Sequence, residues 1–189
     1  MLTATYTLVA LSVEQASIGA SLQSLQKVLS HFAEQRSLTD GRVEFACETL
    51  ARAVQAPHWA KVDQHLFPAI YDSTDAADDL LQELKQLRQR AECQMGAIDS
   101  AYAGRALDGA ADVAAFCAEI DEVCQALVER IERERHALFP LARAVVSGEA
   151  WFAIANRMLA HEAYLLDNKP RRRSPAAAAS AIARAVQLH

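Results

Sequence analysis

Four polar residues occupy positions where a helical chain should carry apolar ones: Gln15, His58, Arg130 and Glu134. Each type has a distinct chemistry. An imidazole and a carboxylate are general acid–base groups and metal ligands. A guanidinium is a permanent cation that repels metal ions and grips carboxylates through a planar fork. A carboxamide donates and accepts but stays neutral. Arg130 and Glu134 stand four residues apart, so on a helix they share a face and can pair. The expectation is a buried Arg130–Glu134 ion pair buttressed by Gln15 and His58. The plainer reading lets Arg130 snorkel to solvent along its aliphatic stem.

Other polar groups read more simply. Glu132 and His136, and Lys61 and His65, share i, i+4 faces, and His161 precedes Glu162; such pairs are usually solvated. Cys47, Cys93, Cys117 and Cys124 form no CxxC pair and lie in helical patterns, which suits small buried hydrophobes in a reducing cytoplasm. Trp59 and Trp151 read as packing anchors. No Ser/His/Asp constellation, phosphate-cradling glycine loop or zinc spacing is present, so the chain is read as no enzyme.

The elements that hold the four residues follow from steps of three and four between apolar positions. The first segment runs Leu8, Leu11, Gln15, Ile18, Leu22, Leu25, Leu29, Phe32. The second opens at Thr39 and Asp40 and runs Val43, Cys47, Leu50, Val54, His58, Val62, then His65 or Leu66. Pro57 must kink or split it, and Pro68 closes it. The third follows Ser73 and Thr74, with acids suited to a helix N-terminus, and runs Leu80, Leu84, Leu87, Ala91, Met95, Ile98. The fourth starts near Asp108 and runs Val113, Phe116, Ile120, Val123, Leu127, Arg130, Glu134, Leu138, Leu141. A shorter helix from about Glu149 to Leu166 carries Trp151, Phe152, Ile154, Met158 and Leu159.

Bulk composition agrees. The 189 residues include six Gly and five Pro, too few for a sandwich or barrel rich in turns. The net charge of −5 argues against a nucleic-acid surface. The first basic residue is Lys27, so the N-terminus does not read as a secretory leader, and no stretch reaches the ~20 apolar residues of a membrane span. The expected organisation is a helical domain over 1–168 and a basic, Ala-rich tail over 169–189.

The second and fourth segments repeat. His58-Trp59-Ala60-Lys61-Val62-Asp63-Gln64-His65-Leu66-Phe67-Pro68 aligns with Arg130-Ile131-Glu132-Arg133-Glu134-Arg135-His136-Ala137-Leu138-Phe139-Pro140, an offset of 72 residues (138 − 66). Leu11-Ser12-Val13-Glu14-Gln15 and Leu87-Arg88-Gln89-Arg90-Ala91 match more faintly. Two hairpins in tandem, each amphipathic, bury their apolar faces by closing on one another.

This layout resembles the hemerythrin-like, HHE cation-binding domains over roughly residues 8 to 160. The resemblance implies an all-α, up-down-up-down four-helix bundle with an extra C-terminal helix and tail, and a pocket of His and carboxylate ligands for two irons. Carried over residue by residue, the ligand positions are Gln15, His58, Val62, Ala91, Arg130 and Glu134, of which only His58 and Glu134 keep the family's residue type. The resulting expectation is a degenerate site without a cofactor, in a non-catalytic binding or regulatory module. The alternative is an iron protein with a reduced or mononuclear site at His58 and Glu134 that senses or stores metal, O2 or NO. The partner is left open between another protein and a second copy of the chain, with membrane and nucleic acid disfavoured.

Overall fold

The helices follow the apolar spacing, and the computed structural model describes them over residues 2–167. Helix α1 spans Leu2–Ala33 and buries Ala4, Thr7, Leu11, Gln15, Ile18, Leu22, Leu25, Leu29 and Phe32. Thr7 takes the inward position expected of Leu8, which is only half-buried. Its hydroxyl remains satisfied by donating to the Thr3 carbonyl at 3.0 Å.

Helix α2 spans Asp40–Val54 after Thr39 at its N-cap, and the Asp40 carboxylate accepts from the Gly41 N–H at 2.8 Å. Pro57 splits this segment as expected. Ala56 is forced extended (ψ 135°), because the residue before a proline avoids the helical region. Pro57 then opens α3, Pro57–Lys61.

Pro68 does not close the segment. A π-helical turn, Val62–Leu66, leads into α4, Phe67–Tyr71, with Pro68 in its first turn. The second repeat does the same: α6, Ala110–Arg133, runs into a π turn at Glu134–Leu138 and then α7, Phe139–Val145, with Pro140 at the matching place. The cause is chemical. Pro68 and Pro140 have no N–H to donate, and their rings collide with the carbonyl four residues back. Widening the turn relieves the collision, and the Phe67 and Phe139 N–H groups reach back five residues, to Val62 and Glu134. The extra residue shifts the helical phase, so adjacent pairs (Leu66 with Phe67, Leu138 with Phe139) are both buried. Beyond the second π turn Ala142 is buried in place of Leu141.

Thr74 caps a 3-10 turn, Asp75–Ala77, by accepting from the Ala76 N–H at 3.2 Å, and α5 follows over Asp78–Tyr102. Its inward residue in the first turn is Leu81, one position after the expected Leu80, because the 3-10 turn sets a different starting phase. The described chain is all-α apart from one short ladder that the sequence does not announce. Ser37–Leu38 (β1) and Leu107–Asp108 (β2) pair antiparallel, joining the α1–α2 and α5–α6 connections, with Leu38 and Leu107 buried beneath.

Helix α1 packs on α2 and α6, and α5 packs on the same two helices. The shared core is aliphatic, with Phe32, Trp59 and Phe116 as its aromatic members. Three cysteines sit in it, and burial pushes the Cys47 thiol up to about 11 and that of Cys124 up to about 12, which leaves them inert. Cys93 departs from expectation by lying exposed on the outer face of α5. The chain divides into two units, Met1–Ala155 and Asn156–His189. Helix α8, Gly148–Asp167, begins in the first with Trp151 and Ile154 buried and Phe152 exposed, and its remainder is the described part of the second. The tail expected at 169–189 lies outside the described residues. No described helix is long and apolar enough to cross a membrane.

Gly109 precedes α6 with φ 138° and ψ 135°, a conformation that only glycine adopts without strain. Gly96, by contrast, is exposed on the outer face of α5 with open space around it. One substitution should therefore act with opposite signs: Gly109→Ala destabilises by about 1–3 kcal/mol, while Gly96→Ala stabilises by about 0.5–1 kcal/mol. Urea unfolding midpoints of the two variants check this.

Candidate functional site

Gln15 of α1, His58 of α3, Arg130 of α6 and Glu134 of the second π turn meet in the core. Arg130, Glu134 and Gln15 are each 0% exposed and His58 is 2% exposed, so Arg130 does not snorkel. Each position follows from local structure. Pro57 starts α3 and so sets the direction of His58 one residue later. Arg130 and Glu134 sit either side of the transition from α6 into its π turn.

Glu134 is the hub. Its Oε1 accepts from Arg130 Nε at 2.9 Å, and its Oε2 accepts from both Gln15 Nε2 and His58 Nε2 at 2.8 Å. Arg130 spends the rest of its fork on other elements: Nη1 donates to the Leu84 carbonyl of α5 at 3.2 Å, and Nη2 to Asp63 Oδ1 of the first π turn at 2.5 Å. Its guanidinium carbon lies 4.9 Å from the centre of the Trp59 ring, within cation–π range. Trp59 is therefore more than a packing anchor. Its indole N–H donates to the Ala53 carbonyl at 2.8 Å, which fixes the ring plane, and its edge meets His58 at a centroid distance of 5.0 Å.

His58 Nδ1 faces Glu14 Oε2 at 3.3 Å, while the other Glu14 oxygen pairs with Lys61. Ionised carboxylates only accept, so a carboxylate at each ring nitrogen favours the imidazolium form of His58, which carries both hydrogens. Burial opposes that charge, but the hydrogen bonds to Glu134 and Glu14 and their negative charges overcome it, and the pKa stands above the ordinary 6.5. For Glu134 burial likewise favours the neutral acid, and the His58 hydrogen bond, together with the charges of His58 and Arg130, outweighs burial and holds its pKa below 4.5. Glu14 is lowered in the same way: burial works upward, and the bonds from His58 and Lys61 prevail.

The result is an alternating line of charge, Lys61–Glu14–His58–Glu134–Arg130–Asp63, in which each cation lies between or beside anions. Asp63 continues it outward to Arg88 at 2.9 Å, and Arg88 to Glu92 at 2.6 Å. Lys61, expected in a solvated pair with His65, is instead buried, because the turn that buries His58 carries the next turn of α3 inward as well. The pair Glu132–His136 is exposed as expected, 3.0 Å apart. Val62 and Ala91 are fully buried and bring only carbon to the core. Glu14, Lys61, Asp63 and Arg88 have no place in the sequence-based cluster. Glu14 stands beside Gln15 and Asp63 beside Val62, which was the available signal, though neither falls on the inward stripe.

The two irons implied by the family resemblance do not fit these residues. Both His58 nitrogens are committed to carboxylates, both Glu134 oxygens to donors, and the Arg130 guanidinium stands where a metal would need a ligand. Among the described residues, no three His, Cys, Asp or Glu side chains gather to hold a metal ion. The Gln15 carbonyl oxygen is buried with no hydrogen-bond partner among the described residues, because its amide end must face the Glu134 carboxylate. Compared with known proteins, the chain matches no family model, no curated protein and no solved structure.

Removing the hub anion takes from Arg130 and His58 the one counter-charge that is fully buried with them. Glu134→Gln should cost about 3–5 kcal/mol in chemical denaturation, far beyond the ~0.5 kcal/mol typical of surface changes. The pH dependence has a definite sign. The raised His58 pKa contributes stability that is complete below 6.5 and is lost as pH rises through the folded value. The lowered Glu134 and Glu14 contribute stability that is complete above 4.5 and is lost as pH falls through their folded values. Unfolding free energy should therefore be maximal between these limits and fall on both sides, and His58→Gln should abolish the alkaline fall. An alkaline limb unchanged in that variant would remove His58 from the line of charge.

Proposed function

We propose that the chain is a hemerythrin-like, up-down-up-down four-helix bundle whose metal pocket has been converted into a structural ion-pair network, and that it works as a non-catalytic binding or regulatory module. The observation that carries this reading is the saturation of Glu134. The one carboxylate retained at a family ligand position receives three donors, from Arg130, Gln15 and His58, and is sealed from solvent.

Three further facts support it. The paired π turns at Val62–Leu66 and Glu134–Leu138, each followed by Phe-Pro, match the two-hairpin repeat. The α1–α2 and α5–α6 connections are themselves paired through β1 and β2, at corresponding points of the two repeats. The acids of the core are held ionised by their partners, the opposite of a carboxyl tuned for proton transfer near neutrality. The unpaired cysteines suit a reducing compartment such as the cytoplasm. A core closed in this way leaves recognition to the outer faces of the helices.

Elemental analysis and anaerobic Fe(II) titration of the purified protein test the reading. Iron should be well below one equivalent, and Fe(II) should not shift the melting temperature. The combined variant Gln15→His, Val62→Glu, Ala91→His, Arg130→His puts His or Glu back at each altered family position, and it should gain iron while keeping its helical circular dichroism. Stoichiometric iron in the unaltered protein, released by His58→Ala, would overturn the reading. A folded combined variant that takes up no iron would overturn the descent.

A further inference from the structure

Helix α1 carries a second apolar stripe, on the face opposite its buried one. Leu2, Tyr6, Val9 and Val13 are 84%, 79%, 56% and 64% exposed. They account for four of the eight large apolar side chains left exposed among the described residues. Ala16 and Ala20 continue the same line, at steps of four, three, four, three and four residues. That spacing is the helix-packing seam of a coiled coil, repeated on a helix whose other side already fills the core. The line extends about 27 Å at ~1.5 Å per residue.

Two properties of the stripe identify what fits it. The first is charge. Every exposed residue from Leu2 to Ser24 is uncharged; the one ionisable carboxylate there, Glu14, turns inward to His58 and Lys61. A chain with net charge −5 that meets its own copy needs such a charge-free seam, since like charges facing each other would oppose contact. The second is size. The residues are graded along the helix: Leu2 and Tyr6 are large, Val9 and Val13 intermediate, Ala16 and Ala20 small. A two-fold antiparallel partner centred near Leu11 sets Leu2 against Ala20, Tyr6 against Ala16 and Val9 against Val13. Large then meets small at the two outer levels, intermediate meets intermediate at the centre, and the seam fills evenly. A parallel partner would crowd one end and leave the other empty. A lipid surface is a poorer match, because interfacial helices flank their apolar face with Lys and Arg, and the first basic residue here is Lys27.

We infer that the exposed face of α1 is a self-association surface, on which two copies of the chain pack α1 against α1 antiparallel about a two-fold axis. The contact is isologous, so each substitution acts twice. It stands independently of the core's descent from a metal site.

Sedimentation equilibrium of the full chain, over a range of concentrations, should give twice the 20.6 kDa chain mass. Val9→Lys and Val13→Glu, each alone, should halve that mass while helical circular dichroism is unchanged, since both positions are solvent-facing. Carried together in one chain, Val9→Lys and Val13→Glu should restore association, because the antiparallel register sets each Lys against the partner's Glu. A parallel register sets like against like. A chain that stays monomeric at every concentration, whether its stripe is bare or covered by another segment of the same chain, would falsify the proposal. Dimers indifferent to the single substitutions would place the interface elsewhere and overturn it. Failure of the double variant to recover would overturn the antiparallel register.

Discussion

The structure depends on a single carboxylate, Glu134, being ionised where no water reaches it. An isolated carboxylate in such a core would take up a proton or force the chain to rearrange. Here it stays charged because three donors arrive from three separate elements: Arg130 from α6, Gln15 from α1 and His58 from α3. The requirement propagates. Arg130 cannot be buried with one anion alone, so Asp63 of the first π turn and the Leu84 carbonyl of α5 complete its shell. The second nitrogen of His58 is matched as well: Glu14 faces it, and Lys61 faces Glu14. Satisfying one charge has tied together α1, α3, α5, α6 and both π turns.

Such a network is not a simple source of stability. Desolvating this many charges costs roughly as much as their mutual attraction returns, and an apolar core of the same volume is often as stable. Its effect lies in selectivity among arrangements. Leu and Ile ladders slide with small losses, whereas a guanidinium with fixed donors to Glu134, Asp63 and the Leu84 carbonyl permits one register of α6 against α5 and the first π turn. The π turns belong to the same argument. Each proline widens the turn before it, and the two widened turns contribute Asp63 and Glu134, the anions on either side of Arg130.

The four members of the cluster were legible because they interrupt long apolar ladders. A ladder such as Val123, Leu127, Arg130, Glu134, Leu138 leaves little choice about where its polar rungs point. Their supporters were not legible, for geometric reasons. Glu14, Lys61 and Asp63 are attached just beside the inward stripe and reach the core with the length of their side chains, and a one-dimensional period counts Cα positions only. The same limit explains the errors of phase. Leu80 and Leu141 fall beside a 3-10 turn and a π turn, where the residues per turn change and the spacing of three and four no longer holds. The β1–β2 ladder was invisible because two residues carry no periodicity at all.

The electrostatic balance suggests why a metal pocket could give way to this one. On the proposed descent, a di-iron centre supplied the core with positive charge that the carboxylates neutralised. Losing the irons would have left those anions buried and uncompensated. On that reading Arg130 supplies a fixed cation in the irons' stead, on the helix face of Glu134, four residues away, where pairing needs no change of backbone. His58, on the same reading, stands between Glu14 and Glu134 as a partner to both in place of a neutral ligand. Val62 and Ala91 bring only carbon to the core, so neither adds a charge that would need a partner there. The charges that this sealed volume holds are those that find a partner inside it, Glu134 with Arg130 and with His58.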